Sequence, residues 1–227
     1  LAARGFTSDV DILSSKQGFT DTQSSTANPD AALEQRAQPW VVDALFKYHA
    51  ACYLTHDSIE AANALRTDEK ISPEAIEAVS VKVPPGHLGV CNIQDPKTGL
   101  ECKFSLRMTT ALALSGEDTF DDGLYTDETA RRPDLVALRE RVGVDPTQTG
   151  RGCIVTLQLK DGRTLSRTGD VSQPMRDLAA QQAKIERKFR HLATPALGEA
   201  RAEQAAGLVR DLERQSDVRQ LMALVRG

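Results

Sequence analysis

The chain has 227 residues, 40% of them hydrophobic and 26% charged, which is ordinary globular composition and enough length for one large domain or two small ones. Its 28 Lys and Arg against 32 Asp and Glu give a formal charge of -4, so there is no cationic excess for a phosphate backbone and nucleic acid is not an expected partner. Apolar runs such as Trp40 to Phe46, broken by Asp43, fall far short of the ~20 residues of a bilayer span, so a soluble protein without a membrane role is expected.

The first residue is Leu1, not Met, and no cationic segment or signal-like apolar stretch follows it; the sequence reads as part of a longer chain. Residues 20–38 are polar and rich in Ser, Thr, Asn and Asp, the composition of a connector. Trp40 to Phe46 reads as a strand. After it, Thr55 or Asp57 is placed to cap a helix with Ile59, Ala62 and Leu65 on one face. A helix start at Ser72, with Pro73 in its first turn, precedes Val79, Val81 and Val83, whose period of two predicts a half-buried strand.

Residues 84–101 hold three Pro and three Gly without a regular period and read as a long functional loop. A mostly apolar helix is expected from Lys103 to Leu114, with Gly116 just past its end, and a short one from Asp134 to Arg141. Cys153 to Leu159 and Thr164 to Ser166 flank Asp161-Gly162, a dipeptide suited to a tight hairpin turn. From Met175 the chain reads as helical, with Leu178, Ile185, Phe189 and Leu192 on one stripe and Ser216 as cap of a last helix. Strands mixed with helices, without strict alternation, predict an α+β fold.

The four cysteines, Cys52, Cys91, Cys102 and Cys153, are too scattered for a disulfide framework, so a reducing cytoplasmic location is expected. Cys52 with His56, and His87 with Cys91, are each four apart and make a nominal structural zinc set, although neither pair has the close Cys-x-x-Cys spacing. The densest group of titratable residues is Lys47 to His56, where a strand is expected to give way to a helix. There Lys47 could anchor a carboxylate, while His49 and His56 titrate nearest neutral pH and could move a proton. Taken singly, Lys47 also reads as solvated, Cys52 as core and the histidines as surface groups. Lys103 and Arg107, four apart near a helix start, oppose the helix dipole unless an anion sits there; a misplaced boundary or snorkelling to water explains the same spacing. His87, in the Pro84-Pro85-Gly86 loop, is a further substrate-contact candidate.

Lys47 with Cys52 five on and His56 nine on, the Pro85-Gly86-His87-Leu88-Gly89 loop, Lys103-Phe104-Ser105-Leu106 opening an apolar helix, the Asp161-Gly162 hairpin, and Lys188-Phe189 followed by Leu221-Met222 together resemble the MmgE/PrpD family, which includes 2-methylcitrate dehydratase, cis-aconitate decarboxylase and iminodisuccinate epimerase. The resemblance implies an α+β lid with a small mixed or antiparallel sheet, flanked by terminal helices that belong to an all-α domain whose N-terminal part is not in this chain. It divides the chain into 1–38 (end of the helical domain and connector), 39–174 (lid) and 175–227 (returning helices). It implies a homodimer acting on a di- or tricarboxylate with no metal or organic cofactor. Lys47 matches the family's active-site lysine, Cys52 a position held by His or Cys, and His56 the closing His. His49-Ala50 stands where members often have Tyr-Pro, and Met108 where some have an active-site Tyr.

On this reading Lys47, with Lys103, Arg107 and His87 as further contacts, holds the substrate, and His49 or His56 moves a proton α to a carboxylate. A lyase (dehydratase or decarboxylase) is the expected class, an epimerase the alternative, and a structural zinc or non-catalytic assembly module the alternative of another kind. This chain by itself is expected to be nearly inactive. The apolar stripes of residues 1–20 and 190–227 are expected to be displaced, exposed or buried against another copy.

Overall fold

The computed structural model describes residues 2–26, 28, 30, 31, 34 and 43–226. Contacts divide the chain into two units, Leu1–Val42 and Asp43–Gly227. In the first, a 3-10 turn at Ala2–Arg4 and a series of turns lead to α1 (Phe19–Gln23). Phe6, Val10, Leu13 and Phe19 are exposed. Much of the expected 20–38 connector lies outside the described residues.

The second unit is built on one four-stranded sheet. The alternation at Val79 and Val81 forms β1 (Ile76–Lys82), and the Asp161-Gly162 hairpin joins β3 (Cys153–Leu159) to β4 (Thr164–Gly169). The added strand is β2 (Val142–Asp145), which pairs parallel with β1; β1–β3 and β3–β4 are antiparallel, giving the order β2-β1-β3-β4. Opposed pairs such as Val81 with Val155 and Val79 with Leu157 make the buried face. Ile76 and Val79 are both buried although three apart, because the β1–β3 register shifts between Ile76 and Ala78. The fold is therefore α+β, with a small mixed sheet.

Against β3 and β4 lies α2 (His56–Asp68), which buries Ile59, Ala62 and Leu65 as its periodicity predicts. Thr55 is its N-cap residue, but the Thr55 hydroxyl donates to the Cys52 carbonyl instead of capping. Gly169, at the end of β4, touches α2 so closely that a Cβ would lie 2.1 Å from the Asp57 carbonyl oxygen. The Asp57 carboxylate accepts the Val171 N–H at 2.7 Å, tying the same two chain segments together.

Several expected elements differ. Over 43–46 the chain is irregular, not a strand; Leu45 and Phe46 are exposed, so no buried face holds them extended, and Trp40 to Val42 lie outside the described residues. The start at Ser72 is only a 3-10 turn, Pro73–Ala75, because β1 begins at once. The 84–101 loop contains a 3-10 turn (Pro85–His87), α3 (Leu88–Cys91) and the start of α4 (Gly99–Lys103), which Thr98 and Glu101 open with a capping box.

The expected helix from Lys103 to Leu114 is broken. Ser105 turns extended, its hydroxyl caps α5 (Leu106–Leu114) by accepting the Met108 N–H, and its backbone bridges Asn92. Lys103 thus ends one helix and Arg107 begins the next, and they do not share a helix face. All of α5 except Arg107 is buried, so it is the central helix of the core.

Next come α6 (Asp127–Arg131) and α7 (Pro133–Arg139). The C-terminal helices are α8 (Leu178–Leu197), α9 (Glu199–Arg210) and α10 (Arg219–Val225). The last begins without Ser216: Asp217 accepts the Arg219 N–H, and Val218 occupies the cap position. No residue of α8 or α10 is buried, and Leu192, Val209, Val218 and Met222 are exposed.

Candidate active site

The stretch from Lys47 to His56 is pinned by its backbone. Ala50 N–H donates to the Thr119 carbonyl and Cys52 N–H to the Lys103 carbonyl, each at 2.9 Å. These bonds set the two imidazoles together: the rings of His49 and His56 lie edge to face, 4.8 Å between centroids, and both residues are 1% exposed. Phe120 covers the other side of His49 at 5.0 Å.

The two imidazoles have opposite environments. His49 Nδ1 is 2.8 Å from the Thr119 hydroxyl and Nε2 is 3.3 Å from Glu60 Oε1. Burial raises the Glu60 carboxyl, but hydrogen bonds from His49 and from Lys184, whose Nζ is 2.7 Å away, outweigh it and hold the group down at about 2. An ionised carboxylate only accepts, so Nε2 of His49 carries a proton and both ring nitrogens are engaged. His56 has Nε2 buried with no hydrogen-bond partner. Burial, then His49, Lys47 and Lys188, push it down to about 3 against a backbone hydrogen bond to Ala51. A pKa that low makes His56 a neutral imidazole at neutral pH, with Nε2 buried and without a partner.

His56 lines a cavity of about 300 Å³ together with Tyr48, Glu60, Arg167, Asp170 and Lys184. Two of its cations are already paired, Lys184 with Glu60 and Arg167 with Asp68 at 2.6 Å. Lys47 and Lys188 are outside that lining but near enough to His56 for their charges to lower its pKa. Lys188 Nζ donates to the Lys47 carbonyl, and burial together with the Lys47 charge lowers its pKa. Lys47 is exposed, and among the described residues no carboxylate pairs with it.

The sequence candidates therefore separate. His49 and His56 are in contact, with Lys47 acting on His56 through its charge. Cys52 is half-buried beside them, and it helps raise the pKa of the Cys91 thiol. Lys103 pairs with Asp122 and lies over the Tyr125 ring, and Arg107 donates to Asn92 Oδ1 at 2.7 Å. His87 sits in its 3-10 turn with Nδ1 buried and unpartnered. Among the described residues lining the cavity, His56 is the one candidate from that set. Cys52, His56, His87 and Cys91 do not converge as ligands; among the described residues no group of three or more His, Cys, Asp or Glu could hold a metal ion.

Glu60, Thr119 and Lys184 were not singled out from the sequence, and Lys188 stood out only as part of the Lys188-Phe189 motif, not as a site residue. Glu60 was within reach, four residues after His56 on the same helix, and Lys184 and Lys188 are likewise four apart on α8. Nothing local marks Thr119, which reaches His49 across 70 positions.

The second unit is thus an α+β domain in which a buried imidazole, His56, lies on a small cavity that Glu60, Arg167, Asp170 and Lys184 also line. The family model of the MmgE/PrpD C-terminal domain matches residues 49–214, and the chain belongs to that family. The match begins at His49 and takes in both imidazoles, Lys188 and the cavity lining from His56 onward; Lys47 and the lining residues Ala44, Leu45, Phe46 and Tyr48 lie before it. A search of curated proteins finds no match. No described helix is long and apolar enough to cross a membrane.

Proposed function

We propose that this domain is the C-terminal part of an enzyme that removes a proton α to a carboxylate of a di- or tricarboxylate, without metal or organic cofactor. The observation that carries the reading is His56, a residue of the cavity lining whose buried Nε2 has no hydrogen-bond partner. In this mechanism Lys47 and Lys188 attract and hold the carboxylate, and His56 Nε2 takes the α proton. The C–H electron pair moves onto the carbon and is stabilised by the cations on the carboxylate oxygens. His49, held between Glu60 and Thr119, positions His56 and is a positioning residue.

A base held near 3 is weak in the empty site. A bound dianion reverses that: its negative charge stabilises imidazolium and offsets Lys47 and Lys188, so substrate raises the pKa of His56 toward the operating range. In a dehydratase the electron pair then expels a β-hydroxyl, which leaves as water after gaining a proton; in a decarboxylase the C–CO2 bond breaks instead of the C–H bond, CO2 leaves, and the electron pair left on carbon takes a proton from the site. The second reading, epimerisation, returns a proton to the opposite face of the same carbon. Met108 supports it: this fully buried side chain stands where the resemblance places a Tyr in some members, and it offers no proton to a departing hydroxyl. Location in the cytoplasm and a homodimeric state belong to the same proposal.

The test is a panel of di- and tricarboxylates assayed for dehydration, decarboxylation and epimerisation with the full-length enzyme. His56→Gln is expected to lower turnover by about 10²–10⁴-fold, and Lys47→Ala to raise KM. Wild-type turnover in His56→Gln would overturn the assignment of the base.

A further inference from the structure

Cys52 and Cys91 are 39 positions apart in sequence yet are brought together by one backbone segment. Cys52 N–H donates to the Lys103 carbonyl at 2.9 Å, and two residues further along the same segment Asn92 bridges Ser105, with Ile93 N–H donating to the Phe104 carbonyl at 3.2 Å. The helix α3, ending at Cys91, thereby packs against the 3-10 turn Tyr53–Thr55 that Cys52 opens. Cys91 Sγ donates to the His87 carbonyl at 3.3 Å, and the Cys52 thiol is near enough to help raise the pKa of Cys91. Both cysteines are free thiols.

We propose that Cys52 and Cys91 form a reversible redox couple, oxidised to an intramolecular disulfide by a hydroperoxide. The asymmetry of the pair sets the order of steps. Cys52 is half-buried and is the sulfur a small oxidant meets; Cys91 is 0% exposed, and burial pushes its thiol up to about 12, so it stays protonated until its neighbour has reacted. The Cys52 sulfur attacks the peroxide, the O–O bond breaks, and one water (or alcohol) leaves with Cys52 as sulfenic acid. The Cys91 sulfur then attacks the Cys52 sulfur, the S–O bond breaks, the S–S bond forms, and a second water carries off the hydroxyl and the Cys91 proton. Two electrons pass from the thiols to the peroxide, and a dithiol returns them by exchange. Cys102 and Cys153 are fully buried in the core and have no thiol partner in the described residues, so they stay out of the couple. The inference is independent of the carboxylate reading, because it concerns only the state of the thiols.

The experiment treats the whole chain with hydrogen peroxide, blocks remaining thiols by alkylation under denaturing conditions, and maps the peptides by mass spectrometry. The expected result is loss of two of the four thiols, a peptide pair linked through Cys52 and Cys91, and full recovery of both on dithiothreitol. In Cys91→Ser, Cys52 is expected to persist as a sulfenic acid that dimedone traps. Should that variant fold poorly, the wild-type map decides alone. Cys52 and Cys91 both alkylated after peroxide, Cys52 taken to sulfinic acid with Cys91 still reduced, or Cys52 linked to Cys102 or Cys153 would each overturn the couple.

Discussion

Helices α5 and α8 solve the same problem in opposite ways. In α5 every side chain but that of Arg107 is buried, and the helix is positioned by the core it fills. In α8 no residue is buried along 20 positions; beyond its packing on α9, it is tied to α2 and to residues 47, 118 and 121 by polar contacts: Lys184 to Glu60, Arg187 to Asp118, His191 to Asp121 and Lys188 to the Lys47 carbonyl. Dense packing fixes geometry to a fraction of an ångström, whereas half-exposed ion pairs are individually weak and tolerate adjustment. The candidate site lies between the two regimes. His56 and Glu60 stand on α2, which packs against α5, while the cations that would meet a substrate come from α8 and the irregular segment at Lys47. On the proposed reading, a base on a packed helix would face cations held by weaker contacts.

The contrast is most easily broken by truncating each helix. Leu112→Ala in α5 is expected to cost about 2–5 kcal/mol in urea unfolding, and Leu178→Ala or Leu192→Ala in α8 less than about 0.5 kcal/mol. Equal losses would remove the distinction.

Acid comes next. The folded-state pKa of His56, about 3, lies below its ordinary 6.5, so the unfolded chain binds that proton first. The stability this contributes is complete above 6.5 and is lost as pH falls toward 3, at up to about 1.4 kcal/mol per pH unit. Glu60 adds to the loss between its ordinary 4.5 and about 2. His56→Gln should flatten the upper part of that window in a pH series of unfolding midpoints. An unchanged slope would place His56 in contact with solvent.

Gly169→Ala should cost about 1–3 kcal/mol by forcing β4 from α2, where the Asp57 carbonyl leaves no room for a methyl. The smallest expected effect belongs to α8: Lys184→Met should cost about 0.2–1 kcal/mol, since the pair is partly exposed. Its clearer signature is an upward shift of the Glu60 carboxyl, readable by NMR titration. A loss above that range would mean that α8 is packed more tightly than its exposure indicates.

The comparison also explains which parts of the molecule were legible in the sequence. The valines of β1, the Asp161-Gly162 hairpin and the face of α2 were plain, because local period and turn chemistry agree with burial. The single helix expected from Lys103 to Leu114 failed at Ser105, whose capping role is invisible inside an apolar run unless its bridge to Asn92 is known. The site was half legible. His49 and His56 are close in sequence and in space, but which of them has a free nitrogen depends on Thr119 and Lys184, supplied from distant elements. Lys103 and Arg107 drew attention by a helical spacing that the break at Ser105 abolishes.

His56 is a neutral imidazole whose Nε2 is buried without a partner beside the cavity that the residue lines. Long-range proton–nitrogen correlation NMR of the histidine rings across pH measures this directly. The account predicts that His56 shows protonated Nδ1 and unprotonated Nε2 from pH 8 down to about 4, while anion binding moves its titration upward. Titration near the ordinary 6.5 in the ligand-free chain, or a proton on Nε2 at neutral pH, would contradict it.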